Sequence, residues 1–163
     1  MYVLLQIAII TIFIPITLLY LLKTLGAIDS ISVSKISQRK TPLLIQIILM
    51  SLLLQKSAAI DRIPDLYFYF IGGIISTVLA FILLFLKVKA SLHMIGICSL
   101  TVFLIGLSIA FQTNSLYLIS LLILMIGFVA TSRLEMNAHT FRELVYGIFI
   151  GIIPQILLLW FWL

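Results

Sequence analysis

Between Met94 and Ser132 the chain runs for 39 residues without one charged side chain. A bilayer core is crossed by about 20 predominantly apolar residues, so a run of this length holds two membrane spans. The break belongs at Gln112-Thr113-Asn114-Ser115, the clearest polar cluster inside it. The same logic orders the rest of the chain. Its charged residues fall in four short windows: Lys23 to Lys40, Lys56 to Asp65, Lys87 to Lys89, and Arg133 to Glu143. The gaps predict further spans over residues 2–22, 42–58, 66–86 and 144–163, with a kink at Pro15. The expected fold is an all-α, polytopic membrane helical bundle of about six transmembrane helices, a single integral-membrane domain over residues 1–163.

Composition supports this. Hydrophobic residues make up 64% of the chain and charged residues 9%, where a soluble domain is nearer half apolar and a quarter charged. A water-soluble globule, a disordered chain and a nucleic-acid-binding domain are excluded. The N-terminal apolar stretch lacks a basic start and a small-residue cleavage site, so it reads as a first span. Cys98 is the lone cysteine; it permits no disulfide within the chain and reads as a small hydrophobe.

Six spans put alternate loops on opposite sides of the membrane. One side then receives Lys23, Lys35, Arg39, Lys40, Lys87, Lys89, Arg133 and Arg142, eight of the ten basic residues, and both histidines. The other receives Lys56 and Arg62, offset by Asp61 and Asp65. The positive-inside rule is one cause of such asymmetry. A phosphate site, which needs several Arg or Lys side chains, is another. The rule covers the loop cations but not two histidines and two carboxylates on the same side.

The last polar window reads Ser132-Arg133-Leu134-Glu135-Met136-Asn137-Ala138-His139-Thr140-Phe141-Arg142-Glu143. If the stretch is helical, His139 and Glu143 are i and i+4 and face each other. The carboxylate can then accept the imidazole N–H and raise the nucleophilicity of the other nitrogen. Arg133 is placed to grip phosphate oxygens through its planar fork. Two earlier segments fall on the same side. One is Lys35-Ile36-Ser37-Gln38-Arg39-Lys40-Thr41-Pro42; the other is Lys89-Ala90-Ser91-Leu92-His93. Lys87 and Lys89 read as residues snorkelling at a span end, and Gly147 and Gly151 as packing positions compatible with a homodimer.

Ser-Arg, five residues, His, three residues and an acid resembles the third signature of the type 2 phosphatidic acid phosphatase superfamily. Its acid is Asp where this chain has Glu143. Ala90-Ser91-Leu92-His93 keeps the Ser and His of that family's Pro-Ser-Gly-His. Residues 35–42 hold its Lys and Arg-Pro residue types in compressed spacing. More loosely the chain looks like the small, divergent bacterial members, with Arg-x-x-Pro, Lys-x-Ser-x-His and Arg-x5-His-Thr segments; the resemblance covers about residues 35–147.

The resemblance implies a metal-independent phosphatase that uses no cofactor. His139 would attack phosphorus, Glu143 would orient it, and Arg133, Arg39 and Lys35 would hold the phosphoryl oxygens. Ser91 would add a hydrogen bond, and His93 would protonate the leaving alkoxide. The implied partner is a membrane lipid with a phosphate headgroup: phosphatidic acid, phosphatidylglycerol phosphate, a polyprenyl diphosphate or a lipid A phosphate. No nucleic acid is expected. The implied location is the bacterial inner membrane, multi-pass, with the active face periplasmic, whereas positive-inside counting puts that face in the cytoplasm. The competing functions are a non-catalytic, anionic-lipid-binding scaffold with a degenerate phosphatase fold, and a small transporter with His93, His139 and Glu143 as a proton relay.

Overall fold

The structure, a computed structural model, describes residues 2–30, 36–56 and 63–163. Every regular element among them is helical. The chain enters through α1 (Tyr2–Ala8), a π-helical turn (Ile9–Phe13) and α2 (Ile14–Thr24), which follow one another without a break. Then come α3 (Ile36–Lys56), α4 (Pro64–Phe85), α5 (Leu92–Ala110), α6 (Leu116–Glu135) and α7 (Phe141–Leu159). Five stretches are long and apolar enough to cross a membrane: Leu5–Thr24, α4, α5, α6 and α7. The expected break between the fourth and fifth spans is the turn between α5 and α6, where Gln112 adopts a left-handed φ of 50°.

The prolines shape this bundle locally. Pro15 has no N–H to donate and its ring crowds the preceding turn. The backbone answers with the π-helical turn directly before it rather than with a break. Pro154 sits inside α7 and deprives the Ile150 carbonyl of its usual i+4 donor. The Ser76 hydroxyl of α4 donates to that carbonyl instead, at 2.8 Å. Ser99 of α5 donates to the Gly151 carbonyl at 3.0 Å, and Gln155 reaches the Tyr69 carbonyl of α4 at 3.0 Å. All three side chains are buried. They tie α4, α5 and α7 together where burial leaves no competing water.

Two boundaries differ from expectation. The second span was expected from Pro42, but α3 begins at Ile36, so Arg39 and Lys40 are helical residues. Residues 57–62, including Asp61 and Arg62, lie outside the described residues. The last helix begins at Phe141 rather than Leu144. Thr140 caps it, and Glu143 closes a capping box with the cap residue.

The glycines of α7 are spent inside the chain. A Cβ on Gly147 would stand 2.8 Å from the Ser91 carbonyl oxygen and 2.8 Å from Met94 Cβ. On Gly151 it would meet the Ile95 carbonyl oxygen at 2.7 Å. These packing positions form the seam between α7 and α5. Cys98 lies in that seam with Met94 and Leu144, buried as a small apolar side chain.

Candidate active site

Close packing of α7 on α5 decides where the polar residues go. The N–H of Ser91 donates to the Glu143 carbonyl at 3.2 Å, so the first turns of α5 and α7 lie side by side. The end of α6 joins them: the Arg133 carbonyl accepts the N–H groups of Ala138 and His139, at 3.1 and 3.4 Å. Asn137 completes that turn with a left-handed φ of 50°. The first turn of α3 arrives from the other side, where the Arg39 guanidinium donates to the Ala90 carbonyl at 3.2 Å. Three segments far apart in sequence thus meet at one end of the bundle.

His139 and Glu143 are in contact, with Nδ1 to Oε2 at 2.9 Å. The cause is not the helical spacing expected from sequence. His139 precedes the N-cap and is not helical. The same Oε2 accepts the Thr140 N–H at 3.1 Å, while Thr140 Oγ1 accepts the Glu143 N–H. The carboxylate that completes the capping box therefore also faces the imidazole. A carboxylate can only accept, so the proton sits on Nδ1 and the lone pair is left on Nε2. His139 is 8% exposed. Burial pushes its pKa down and the Glu143 hydrogen bond opposes this; with the nearby Arg39 and Lys89 the net shift is downward. The neutral imidazole that a nucleophile requires is favoured.

Lys89 belongs to the site rather than to the surrounding interface. Its Nζ donates to the Ala138 carbonyl at 3.1 Å and lies 3.6 Å from Glu143 Oε2. Its place in Lys-x-Ser-x-His, two residues before Ser91, was the available sequence signal. Arg39 is buried at 8% exposure. His93 is exposed in the first turn of α5, with Arg133 and Arg39 as its charged neighbours. Lys35 lies outside the described residues. Leu92, which stands where the family signature has Gly, has the helical backbone of α5 and needs no glycine.

Two donors in this cluster are buried and unmatched. Ser91 is fully buried at the N-cap of α5, yet its Oγ caps nothing and has no hydrogen-bond partner among the described residues. Arg133 Nε, in the last turn of α6, is likewise buried without one. Buried polar groups without partners cost free energy and are uncommon. Among the described residues no group of three or more His, Cys, Asp or Glu could hold a metal ion. Family models, characterised proteins and solved structures were all compared with the chain, and none matches it.

Proposed function

We propose that this chain is an integral-membrane lipid phosphatase of six spans, α3 being the sixth, that hydrolyses a lipid phosphomonoester or diphosphate through a phosphohistidine. The observation that carries the reading is the pair of buried unmatched donors, Ser91 Oγ and Arg133 Nε, beside a carboxylate-oriented histidine. A phosphoryl group has the oxygens those donors lack.

In this reading His139 Nε2 attacks phosphorus as the bond to the lipid oxygen breaks, and His93 gives that oxygen a proton. Water then attacks the phosphohistidine and loses its proton to His93, releasing inorganic phosphate and restoring His139. Arg39, Arg133 and Ser91 balance the charge on the phosphoryl oxygens. The open first turn of α5 adds backbone N–H groups and the positive end of a helix dipole. Lys89 lies beside Glu143 and tethers the 136–140 loop through the Ala138 carbonyl. The location remains the expected one, a bacterial inner membrane with the site at its periplasmic face.

The test is phosphate release by the purified protein in detergent from a panel of phospholipid and polyprenyl phosphates, with His139→Ala beside it. Turnover is expected in the parent and none in a variant that keeps its helical spectrum. Lipid binding without turnover in both would replace the phosphatase with a non-catalytic lipid-binding protein.

A further inference from the structure

Residues 89–91, the non-helical stretch that leads into α5, are held from both sides. The Ala90 carbonyl accepts from Arg39 of α3, and the Ser91 N–H donates to the Glu143 carbonyl of α7. Ala90 and Ser91 are buried. The backbone next to Lys89 is therefore fixed by contacts that do not involve its side chain. That side chain crosses to the segment that carries the nucleophile. Its Nζ donates to the carbonyl of Ala138, the residue directly before His139, at 3.1 Å. It also stands 3.6 Å from Glu143 Oε2, the oxygen that His139 Nδ1 meets at 2.9 Å.

The charged groups facing His139 come from three elements: Glu143 of α7, Arg39 of α3 and Lys89 ahead of α5. From α6 the His139 N–H receives the Arg133 backbone carbonyl, while the Arg133 charge neighbours His93. Lys89 touches both groups that hold His139: the peptide before it and the carboxylate beside it. We infer that Lys89 is a positioning residue for the nucleophile: it fixes the Ala138 peptide and the Glu143 carboxylate in one arrangement, and so sets the direction of His139 Nε2. The catalytic part rests on the phosphatase reading above; the hold on His139 rests on the contacts alone.

Two effects act together. The first is geometric. The Lys89 and Glu143 side chains are 19% and 16% exposed, so salt screens them less than a surface pair. The second is electrostatic. A proton on His139 Nε2 would set a second cation against the same carboxylate oxygen, and a like charge disfavours the charged form. Burial pushes the His139 pKa down, and Arg39 and Lys89 push it the same way, against Glu143. Removing the ammonium frees the carboxylate to pair with an imidazolium, so His139 takes up its proton at higher pH.

The chain has two histidines, so NMR of the imidazole nitrogens in the full chain follows His139 directly, with His93→Gln for assignment. Lys89→Gln keeps an N–H donor and removes the charge. Lys89→Met keeps the length and removes both, and replaces Lys89→Gln should that variant lose its helical spectrum. Lys89→Arg keeps both, and Arg142→Gln, an exposed cation removed from the first turn of α7, is the control. The uncharged variants are expected to raise the His139 titration midpoint, Lys89→Arg to stay closer to the parent, and Arg142→Gln to leave it in place. In phosphate release, Lys89→Gln is expected to lower kcat about tenfold with KM held, and to move the acid limb of the pH profile upward. A folded, uncharged variant with the parent's midpoint would overturn the inference, and so would Lys89→Arg behaving like Lys89→Gln. A raised KM with kcat kept would make Lys89 a substrate-binding group and overturn the positioning role. A raised midpoint in a protein whose parent releases no phosphate from any lipid would leave the hold on His139 standing and remove the phosphatase reading.

Discussion

The contact between Gly147 and Ser91 links packing to chemistry and gives the sharpest prediction. An alanine Cβ at position 147 would lie 2.8 Å from the Ser91 carbonyl oxygen, where ordinary contact starts at 3.4 Å. The obstacle is backbone at the start of α5, not the end of a flexible side chain, so α7 must move out by about 0.6 Å. That carries the Ser91 to Glu143 backbone bond from 3.2 Å to about 3.8 Å, beyond hydrogen-bonding range. Overpacking of this kind costs about 1–3 kcal/mol. A displacement approaching 1 Å in a positioned site lowers turnover on the order of 10²-fold. Gly147→Ala is thus expected to unfold at a lower temperature in detergent and to release phosphate about a hundredfold more slowly. Gly127→Ala, where the new methyl meets nothing within 4 Å, removes a helix-interior glycine and is expected to gain up to about 1 kcal/mol. Gly147→Ala and Gly127→Ala with the same unfolding temperature, and turnover equal to the parent's, would refute the claim that this contact sets the site.

Three other perturbations follow from the same geometry. Phosphate release is expected to fall as acid protonates His139; because the His139 pKa is shifted down, the midpoint of that limb lies below the ordinary imidazole value of about 6.5, and a pH–rate profile with a midpoint above it would contradict the assignment. Thr140→Val removes the side-chain acceptor of the capping box and is expected to cost about 1 kcal/mol, read by thermal unfolding, with slower turnover as the Glu143 N–H loses its acceptor and the first turn of α7 loosens. Ser76→Ala leaves the Ile150 carbonyl without its donor, at a cost of about 1–3 kcal/mol; in a Pro154→Ala background, where residue 154 regains an N–H, the same change is expected to cost less, and an equal cost in both backgrounds would refute the pairing.

The gaps between charges were enough to find the helices, because lipid excludes charge more strictly than any propensity orders a backbone. They were poor guides to where helices begin. Arg39 and Lys40 lie inside α3, which begins at Ile36, because helix formation itself does not exclude charged residues from a first turn. The start of α7 was written in Thr140-Phe141-Arg142-Glu143, a capping-box pattern, but charge counting assigned those residues to a loop. The polar layer of Ser76, Ser99 and Gln155 left no charge to count. Its signal was Pro154, whose missing N–H obliges a neighbouring helix to supply a donor.

In the candidate site, spacing predicted the residue types, and tertiary packing supplied the contacts. His139 meets Glu143 although it is not helical, since one carboxylate oxygen can serve both the Thr140 N–H and the imidazole. This gives a physical reason for Glu where the resembling family has Asp. A capping box needs the longer side chain to reach back to the N-cap, and that reach sets the carboxylate beside the residue preceding the cap. Lys89 was read as an interfacial lysine because a lysine at a span end commonly snorkels; Lys-x-Ser-x-His marked it, but its contact with Glu143, 54 positions later, comes from tertiary packing. Gly147 couples the two levels. Without a side chain there, α7 comes close enough for Ser91 and Glu143 to share a backbone bond, and the helix that carries the carboxylate is held against the helix that carries His93.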